Sequence, residues 1–167
     1  MDILISHPWL ILAAPLALSL IVWGMRAPRI KGNACIVDGD SLEVNGQRLR
    51  LAGIDAPEYN QFFTHHGRVQ HIGSQARKAL ADLIGNQPVS CKVLGEDSYK
   101  RQLVICYNHK GQDVAHALVL MGLAEVYGYR TRSRAKRYRF AQFRAKIARR
   151  GLWATKGNSP QAWRQSQ

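Results

Sequence analysis

Five of the eleven acidic side chains in this 167-residue chain fall between residues 38 and 58, although the formal net charge is +13. Carboxylates clustered in a cationic protein repel one another unless a cation lies between them. Two of these acids, Asp40 and Asp55, offer hard oxygen atoms, which suit calcium, magnesium or manganese, whereas zinc favours His or Cys. The segment is therefore a candidate site for a hard divalent cation.

The elements around these acids would bring them together. The Asn45-Gly46 pair lies between two short runs of alternating apolar residues, which is a strong hairpin signal. Asp40 and Asp55 lie just outside opposite ends of that hairpin, and Arg50 lies between them in the second strand. Each fragment taken alone is most often a solvated turn or a cap, but their joint spacing favours a functional site.

The chain resembles the staphylococcal-type thermonucleases from about residue 31 to residue 153. Six motifs in the family's order carry the resemblance: Val37-Asp38-Gly39-Asp40-Ser41, Arg50-Leu51-Ala52-Gly53-Ile54-Asp55-Ala56-Pro57-Glu58, Gly73-Ser74-Gln75-Ala76, Asp97-Ser98-Tyr99-Lys100-Arg101, Gly122-Leu123-Ala124 and Gly151-Leu152-Trp153. The resemblance implies an α+β fold with a five-stranded barrel of the oligonucleotide-binding (OB) type and three packed helices. One hydrophobic helix would precede this domain.

The resemblance also implies a metal site. Asp40 and Asp55 match the calcium-binding carboxylates of the family, and Ala56 would add its backbone carbonyl. The family usually has Thr at this last position, so Ala56 lacks the hydroxyl but keeps the carbonyl that would bind the ion. One calcium ion is therefore the expected cofactor.

Three further positions match the catalytic residues of the family. Glu58 takes the position of the general base, and Arg50 and Arg101 take those of the two phosphate-binding arginines. Phosphodiester hydrolysis spreads negative charge over the phosphoryl oxygens, so a metal ion, two guanidiniums and a base meet its requirements. Lys100 replaces the Gly that normally precedes the second arginine, so we expect a different turn there; we also count Lys100 among the substrate-binding residues.

A basic tract covers residues 130–150, with ten Lys or Arg and no acid. Part of such a tract is solvated surface, but interleaved aromatic residues are typical of single-stranded nucleic-acid binding. The predicted substrate contacts are Tyr127, Tyr129, Arg132, Arg134 and Lys136. Tyr138 belongs to the interleaved aromatics, whereas Phe140 and Phe143 are assigned to the hydrophobic core.

Length and periodicity predict one small domain, residues 30–155, followed by a tail at residues 156–167. Beyond the hairpin, the pattern predicts strands at 89–94 and 102–107 and helices at 74–84, 113–121 and 137–150. Ser74 is the predicted N-cap of the first helix, and Gly122 and Gly151 are predicted to end the other two.

The histidines and cysteines match no common zinc motif. His65, His66 and His71 lie close together, but no Cys lies in their stretch, so a loop beside the active site is favoured over a zinc or redox-metal site. The three cysteines are odd in number. Cys91 and Cys106 fall in neighbouring predicted strands, which leaves a disulfide between them as a possibility.

The N-terminal segment, residues 1–29, has membrane-spanning character. Residues 3–25 carry no formally charged side chain, and tryptophans flank the apolar run at Trp9 and Trp23. This is close to bilayer-spanning length with interfacial aromatics. We expect an uncleaved anchor; a cleaved signal peptide is the alternative, although the basic n-region is missing and Trp23 and Met25 are bulky for a cleavage site.

The orientation of this anchor is less constrained. Arg26, Arg29 and Lys31 favour a cytoplasmic position for the residues after the span. A nonspecific calcium nuclease would, however, harm the cell's own nucleic acid and find little calcium there. We therefore expect the domain on the exported side, and secretion after signal cleavage is the alternative.

The favoured function is a membrane-tethered, metal-dependent endonuclease that cuts DNA and RNA with little sequence preference. A catalytically silent OB-fold module that binds nucleic acid or a protein partner is the alternative, and a basic membrane-surface protein is a third reading. A silent relative would be expected to have lost part of the quintet Asp40, Arg50, Asp55, Glu58 and Arg101, and here it is intact. The implied partners are nucleic acid and a membrane, with no obligate protein partner inferred.

Overall fold

The computed structural model describes residues 27–127 and 132–166. Its strands are β1 (Arg29–Gly32), β2 (Ala34–Asp38), β3 (Ser41–Val44), β4 (Gln47–Leu51), β5 (Ile54–Asp55), β6 (Phe63–His65), β7 (Arg68–Gln70), β8 (Val89–Glu96), β9 (Gln102–Tyr107) and β10 (Glu125–Val126). Its helices are α1 (Ile72–Ile84), α2 (Val114–Met121), α3 (Arg132–Ile147) and α4 (Pro160–Gln165), with a 3-10 turn at Gly151–Ala154.

The main sheet is a curled mixed sheet with strand order β1-β8-β9-β4-β3-β2. Only Asn33 separates β1 from β2, yet these strands lie at opposite edges, where β1 pairs with β8 and β2 pairs with β3. One chain segment therefore links both edges and curls the sheet into the predicted OB type of barrel. The sheet contains six strands rather than the five predicted, because the first strand breaks at Asn33 where it passes from one edge to the other.

The predicted hairpin forms between β3 and β4. The two strands are antiparallel, with Val44 opposite Gln47 at the turn and Ser41 opposite Arg50. Asn45 and Gly46 both adopt positive φ angles, 52° and 74°, as a type I′ hairpin turn requires. The strands bury their alternate apolar residues, Leu42, Val44, Leu49 and Leu51.

Helix α1 covers one face of this barrel and begins two residues before the predicted N-cap. The residue before it is His71, which makes no side-chain capping hydrogen bond. Gly73 lies so close to the loop that follows β5 that an added Cβ would approach the Glu58 carbonyl oxygen to 2.3 Å. Packing of the helix start against this loop therefore decides where α1 begins, and it fixes the backbone that carries Glu58.

Helix α2 begins and ends where the sequence predicts. Asp113 caps it by accepting a hydrogen bond from the backbone N–H of His116 at 3.1 Å, and Gly122 ends it in the left-handed conformation. The hydroxyl of Tyr138, on α3, donates to the Asp113 carboxylate at 3.0 Å. Tyr138 is therefore a core residue that docks α3 on α2, and the suggestion that it belongs to a nucleic-acid surface is wrong.

Helix α3 begins at Arg132 rather than at residue 137, and it ends at Ile147. Tyr138, Ala141 and Ala145 form its buried face. Phe140 and Phe143 lie on the opposite side with 63% and 57% of their surfaces exposed, so their assignment to the core is wrong. The helix carries apolar residues on two faces. The face with the two alanines is the buried one, because its small side chains allow α3 to pack closely on the domain.

Strands β8 and β9 carry the disulfide that the sequence left open. Cys91 and Cys106 lie directly opposite each other in the antiparallel pair and are bonded. Both are fully buried. Cys35 is a free, exposed thiol.

Almost all of the predicted membrane anchor lies outside the described residues, which begin at residue 27. Among residues 27–127 and 132–166, no helix is long and apolar enough to cross a membrane. The anchor, the alternative of a cleaved signal and the orientation all stay predictions.

Candidate active site

The hairpin brings the two aspartates to one guanidinium. Arg50, on β4, forms a two-pronged ion pair with Asp40, from Nη1 to Oδ1 and from Nη2 to Oδ2, at 2.9 Å each. Its Nη2 also donates to Oδ1 of Asp55 at 2.9 Å. Asp40 is 4% exposed and Asp55 is 1% exposed, so the three side chains form a buried charged cluster.

Backbone contacts fix each member of this cluster. The N–H of Leu51 donates to the carbonyl of Asp40 at 2.8 Å, just beyond the paired ends of β3 and β4. Asp55 lies in β5, which pairs with β10 and places Asp55 opposite Glu125. Asp40 is therefore held at an end of the main sheet and Asp55 in the two-stranded sheet of β5 and β10, so regular backbone pairing fixes the position of both residues.

Two further acids, Asp38 and Glu58, lie beside this cluster and add to its negative charge. Burial raises the pKa of Asp38 to about 6; the N–H of Gly39 opposes this rise, and nearby Glu58 and Asp40 add to it. Burial also raises the pKa of Asp40 above its ordinary value, against the lowering effect of the Arg50 guanidinium. The site holds more carboxylates than one arginine balances, and this electrostatic demand favours a further cation.

The donor chemistry of the site fits a hard divalent cation. Asp40 and Asp55 are buried carboxylates, and Ala56 is also buried, with its N–H 3.3 Å from Oδ2 of Asp40. Hard oxygen donors of this kind suit calcium or magnesium. Within the described part of the chain, however, no three His, Cys, Asp or Glu side chains form a metal-binding group. Water or backbone oxygens would have to complete the coordination of an ion held by the two aspartates.

Arg101 lies in a tight turn between β8 and β9. Its Nε donates to Oδ2 of Asp97 at 2.8 Å, while Oδ1 of Asp97 accepts from the backbone N–H groups of Tyr99 and Arg101. Lys100 is exposed and has φ = 59°, a left-handed conformation that glycine adopts without strain. Lysine therefore takes a glycine-type conformation in the turn that presents Arg101.

One groove connects the predicted catalytic residues. This open groove, about 930 Å³ in volume, is lined by Arg50, Glu58, Arg101, Tyr127 and Arg164 among others. The structure thus brings Tyr127 to the predicted site. Lys136 is exposed on α3 and does not line the groove. Tyr129 and the side chains of Arg132 and Arg134 lie outside the described residues.

Arg164 is the site residue that sequence reasoning missed. It lies in α4, within the segment that was assigned to a tail, and its Nη1 is 3.1 Å from Oε1 of Glu58 while its Nη2 contacts Oδ2 of Asp55. Burial acts to lower the pKa of Arg164, but its contacts with Asp55 and Glu58 outweigh burial and raise that pKa above its ordinary value. The Ser159-Pro160 pair was an available signal for the helix start, but nothing local predicts where Arg164 binds.

The protein combines a curled OB-type sheet with a buried cluster of acids and arginine, and this cluster lies beside a groove lined by arginines. Together these features define a class of protein whose site is suited to phosphate chemistry. The family model described as "Staphylococcal nuclease homologue" matches residues 48–155, more than half of the chain. The chain therefore belongs to this family.

Three proteins are similar to this chain over most of its length, and two of them carry nuclease names. The chain is 33% identical over 129 residues to the succinoglycan biosynthesis protein ExoI of Rhizobium meliloti, covering 76% of this chain and 66% of that protein. It is 32% identical over 161 residues to an uncharacterized endonuclease of Haemophilus influenzae, with coverages of 90% and 84%. It is 34% identical over 145 residues to a micrococcal nuclease of Shigella flexneri, with coverages of 78% and 78%. The chain spans just under two thirds of the length of the Rhizobium relative.

Proposed function

We propose that the protein is a metal-dependent endonuclease that hydrolyses phosphodiester bonds in DNA and RNA with little sequence preference. The observation that carries this proposal is the Arg50 guanidinium held by both Asp40 and Asp55, in the groove that also contains Glu58 and Arg101. The two nuclease-named relatives support the same reaction.

Each residue has a role that follows from its chemistry and position. Asp40 and Asp55 would hold the divalent ion, for which we propose calcium, and the ion when bound would polarise a phosphoryl oxygen. The Glu58 side chain is 37% exposed, so its carboxylate can reach a water molecule in the groove and accept its proton. Arg50 and Arg101 would donate hydrogen bonds to the phosphoryl oxygens that gain negative charge.

Helix α3 would add contacts to longer nucleic acids. Phe140 and Phe143 are exposed on its outer side among exposed Lys and Arg residues, including Lys136, Arg139 and Arg144. Cationic side chains neutralise phosphates and exposed aromatic rings stack on bases irrespective of sequence. This surface supports binding that is strong but not sequence-specific, because most of its contacts read the backbone.

We further propose that residues 1–29 tether the enzyme to a membrane, with the nuclease domain on the exported side. The uncharged stretch at residues 3–25 supports a membrane segment. Secretion after cleavage of the segment is the alternative. The intact mass of the membrane fraction after an alkaline wash distinguishes the two, because an anchor leaves 167 residues in the membrane and a cleaved signal leaves a shorter soluble chain.

A catalytically silent module is the alternative function, and one observation favours it. The Asp55 carboxylate already binds two guanidiniums, those of Arg50 and Arg164, so the charge of this proposed metal ligand is already neutralised without a metal ion. Such a protein would bind nucleic acid through its basic surface and would not cut it.

A single experiment separates these functions. Full-length protein in detergent is incubated with supercoiled plasmid or with RNA, in calcium, magnesium or chelator, and Glu58→Gln serves as the control for contaminating nucleases. We expect cleavage of both substrates by the wild type in calcium and none in chelator. Binding without cleavage in every metal would establish the silent module, and full cleavage in chelator would refute the metal site.

A further inference from the structure

Arg164 already binds the Asp55 carboxylate, which is one of the two proposed metal ligands. In Asp55, Oδ1 accepts from Arg50 at 2.9 Å and Oδ2 contacts Nη2 of Arg164. The Asp55 side chain is 2% exposed, so it has almost no access to water, whereas the Arg164 side chain is 34% exposed. A divalent ion can therefore bind Asp55 through Oδ2 only if Arg164 first withdraws, and the exposed arginine is the partner that can move.

The C-terminal segment is built onto the domain and presents Arg164 from a fixed position. The backbones of Thr64 and Lys156 exchange two hydrogen bonds of 2.8 Å. Nε2 of the buried Gln61 donates to the carbonyl of Asn158 at 2.8 Å. Ser159 then caps α4 by accepting from the N–H of Ala162. Two attachments to the domain and one helix cap thus lead the chain to the groove, so the contact does not depend on a loose terminus.

The same guanidinium also contacts the proposed base. Nη1 of Arg164 lies 3.1 Å from Oε1 of Glu58, so one side chain bridges a proposed metal ligand and the proposed general base. A positive charge in this position supplies the neutralisation that the acidic cluster otherwise takes from a metal ion.

From this arrangement we infer that Arg164 is an internal cation that competes with the divalent metal for Asp55 and thereby sets the metal affinity of the site. This inference rests on the proposed metal-dependent function. At low metal concentration the guanidinium holds Asp55 and Glu58, and the site is closed to the ion. At high concentration the doubly charged ion displaces the singly charged guanidinium, which frees both carboxylates for their proposed roles.

The test measures calcium binding to the full-length protein by titration calorimetry. Arg164→Met removes the charge and keeps the length and helix propensity of the side chain. We expect it to tighten calcium binding about tenfold, allowing for solvent screening of a pair that is partly exposed. Arg164→Lys keeps the charge but loses the two-pronged fork of the guanidinium. Its calcium affinity should therefore lie between those of the wild type and Arg164→Met. Arg77→Met, on the exposed side of α1, removes the same charge away from the groove and should leave the affinity unchanged.

A second readout distinguishes competition from a merely structural contact. In chelator, Arg164→Met should lower the melting temperature by about 3 °C, because the ion pairs with Asp55 and Glu58 are lost. In saturating calcium this difference should disappear, since the guanidinium no longer holds Asp55 in the wild type. A loss of stability in both conditions with unchanged calcium affinity would overturn the competition and leave the proposed function intact. The absence of calcium binding by both proteins would overturn the inference together with the metal site.

Discussion

Asp38 provides a test of the electrostatics of the acidic cluster. Its pKa is raised from the ordinary 3.8 to about 6, by burial first and by Glu58 and Asp40 in addition. The folded state therefore keeps a proton on Asp38 at pH values where the unfolded chain has lost it. The contribution of Asp38 to folding stability is fully present below pH 3.8, and it is lost as the pH rises through about 6.

The size of the effect follows from the same values. A rise from 3.8 to about 6 corresponds to roughly 3 kcal/mol, and the partial exposure of the side chain reduces this to about 1.5 kcal/mol. Asp38→Asn removes the ionisation but keeps an oxygen that can accept from the N–H of Gly39, as Oδ1 of Asp38 does at 2.7 Å. In chelator, we expect the variant to be about 1.5 kcal/mol more stable than the wild type at pH 8 and equal to it near pH 4.

Urea unfolding at a series of pH values between about 4 and 8 measures this difference directly. Asp82→Asn is the matched control, because Asp82 is an exposed acid on α1 paired with Lys78 and its removal changes the net charge equally. Only Asp38→Asn should gain stability as the pH rises, and calcium should reduce that gain by favouring the ionised cluster. A pH-independent difference between wild type and Asp38→Asn would refute the electrostatic reasoning.

Three other predictions concern catalysis, nucleic-acid binding and the turn at Arg101. Glu58→Gln should lower turnover by about 100-fold to 10,000-fold while calorimetry still detects metal binding; turnover at the wild-type rate would identify another base. Replacing Phe140 and Phe143 with alanine should weaken single-stranded DNA binding by roughly tenfold in a fluorescence titration, because the rings would no longer stack on bases. Ile147→Ala, on the same exposed side, should leave the binding unchanged, and equal effects of the two changes would argue against stacking. Lys100→Gly should stabilise the protein by up to about 1 kcal/mol in urea unfolding, because glycine adopts φ = 59° without strain; destabilisation would mean that the lysine side chain contributes more than its backbone costs.

The part of the site that local chemistry determines could be predicted from the sequence. The Asn45-Gly46 turn sets the register of β3 and β4, and that register brings Asp40 and Asp55 to the Arg50 guanidinium. A turn that demands two positive φ angles has few alternatives, so its sequence signal is strong.

Helix positions were less predictable because tertiary packing decided them. The spacing of apolar residues on α3 allows either Tyr138 with its two alanines or Phe140 and Phe143 to face the core. Close packing on α2 selected the first face, with the Tyr138 hydroxyl bound to Asp113, since small residues allow two helices to approach closely. The face with two large aromatic residues is therefore not always the buried one, because here the face with one tyrosine and two alanines packs in the core.

Arg164 is the site residue that the motifs could not predict. It lies 109 residues from Asp55 and 106 residues from Glu58 along the chain, and the family match ends at residue 155. No periodicity or spacing rule connects a terminal arginine with a hairpin so distant in sequence. The motif residues supply the carboxylates of the proposed metal site, and in the proposed competition the metal concentration that fills this site depends on the guanidinium already bound to Asp55. In this chain that guanidinium comes from outside the family's matched region, so the proposed metal affinity depends on the C-terminal helix as much as on the motifs.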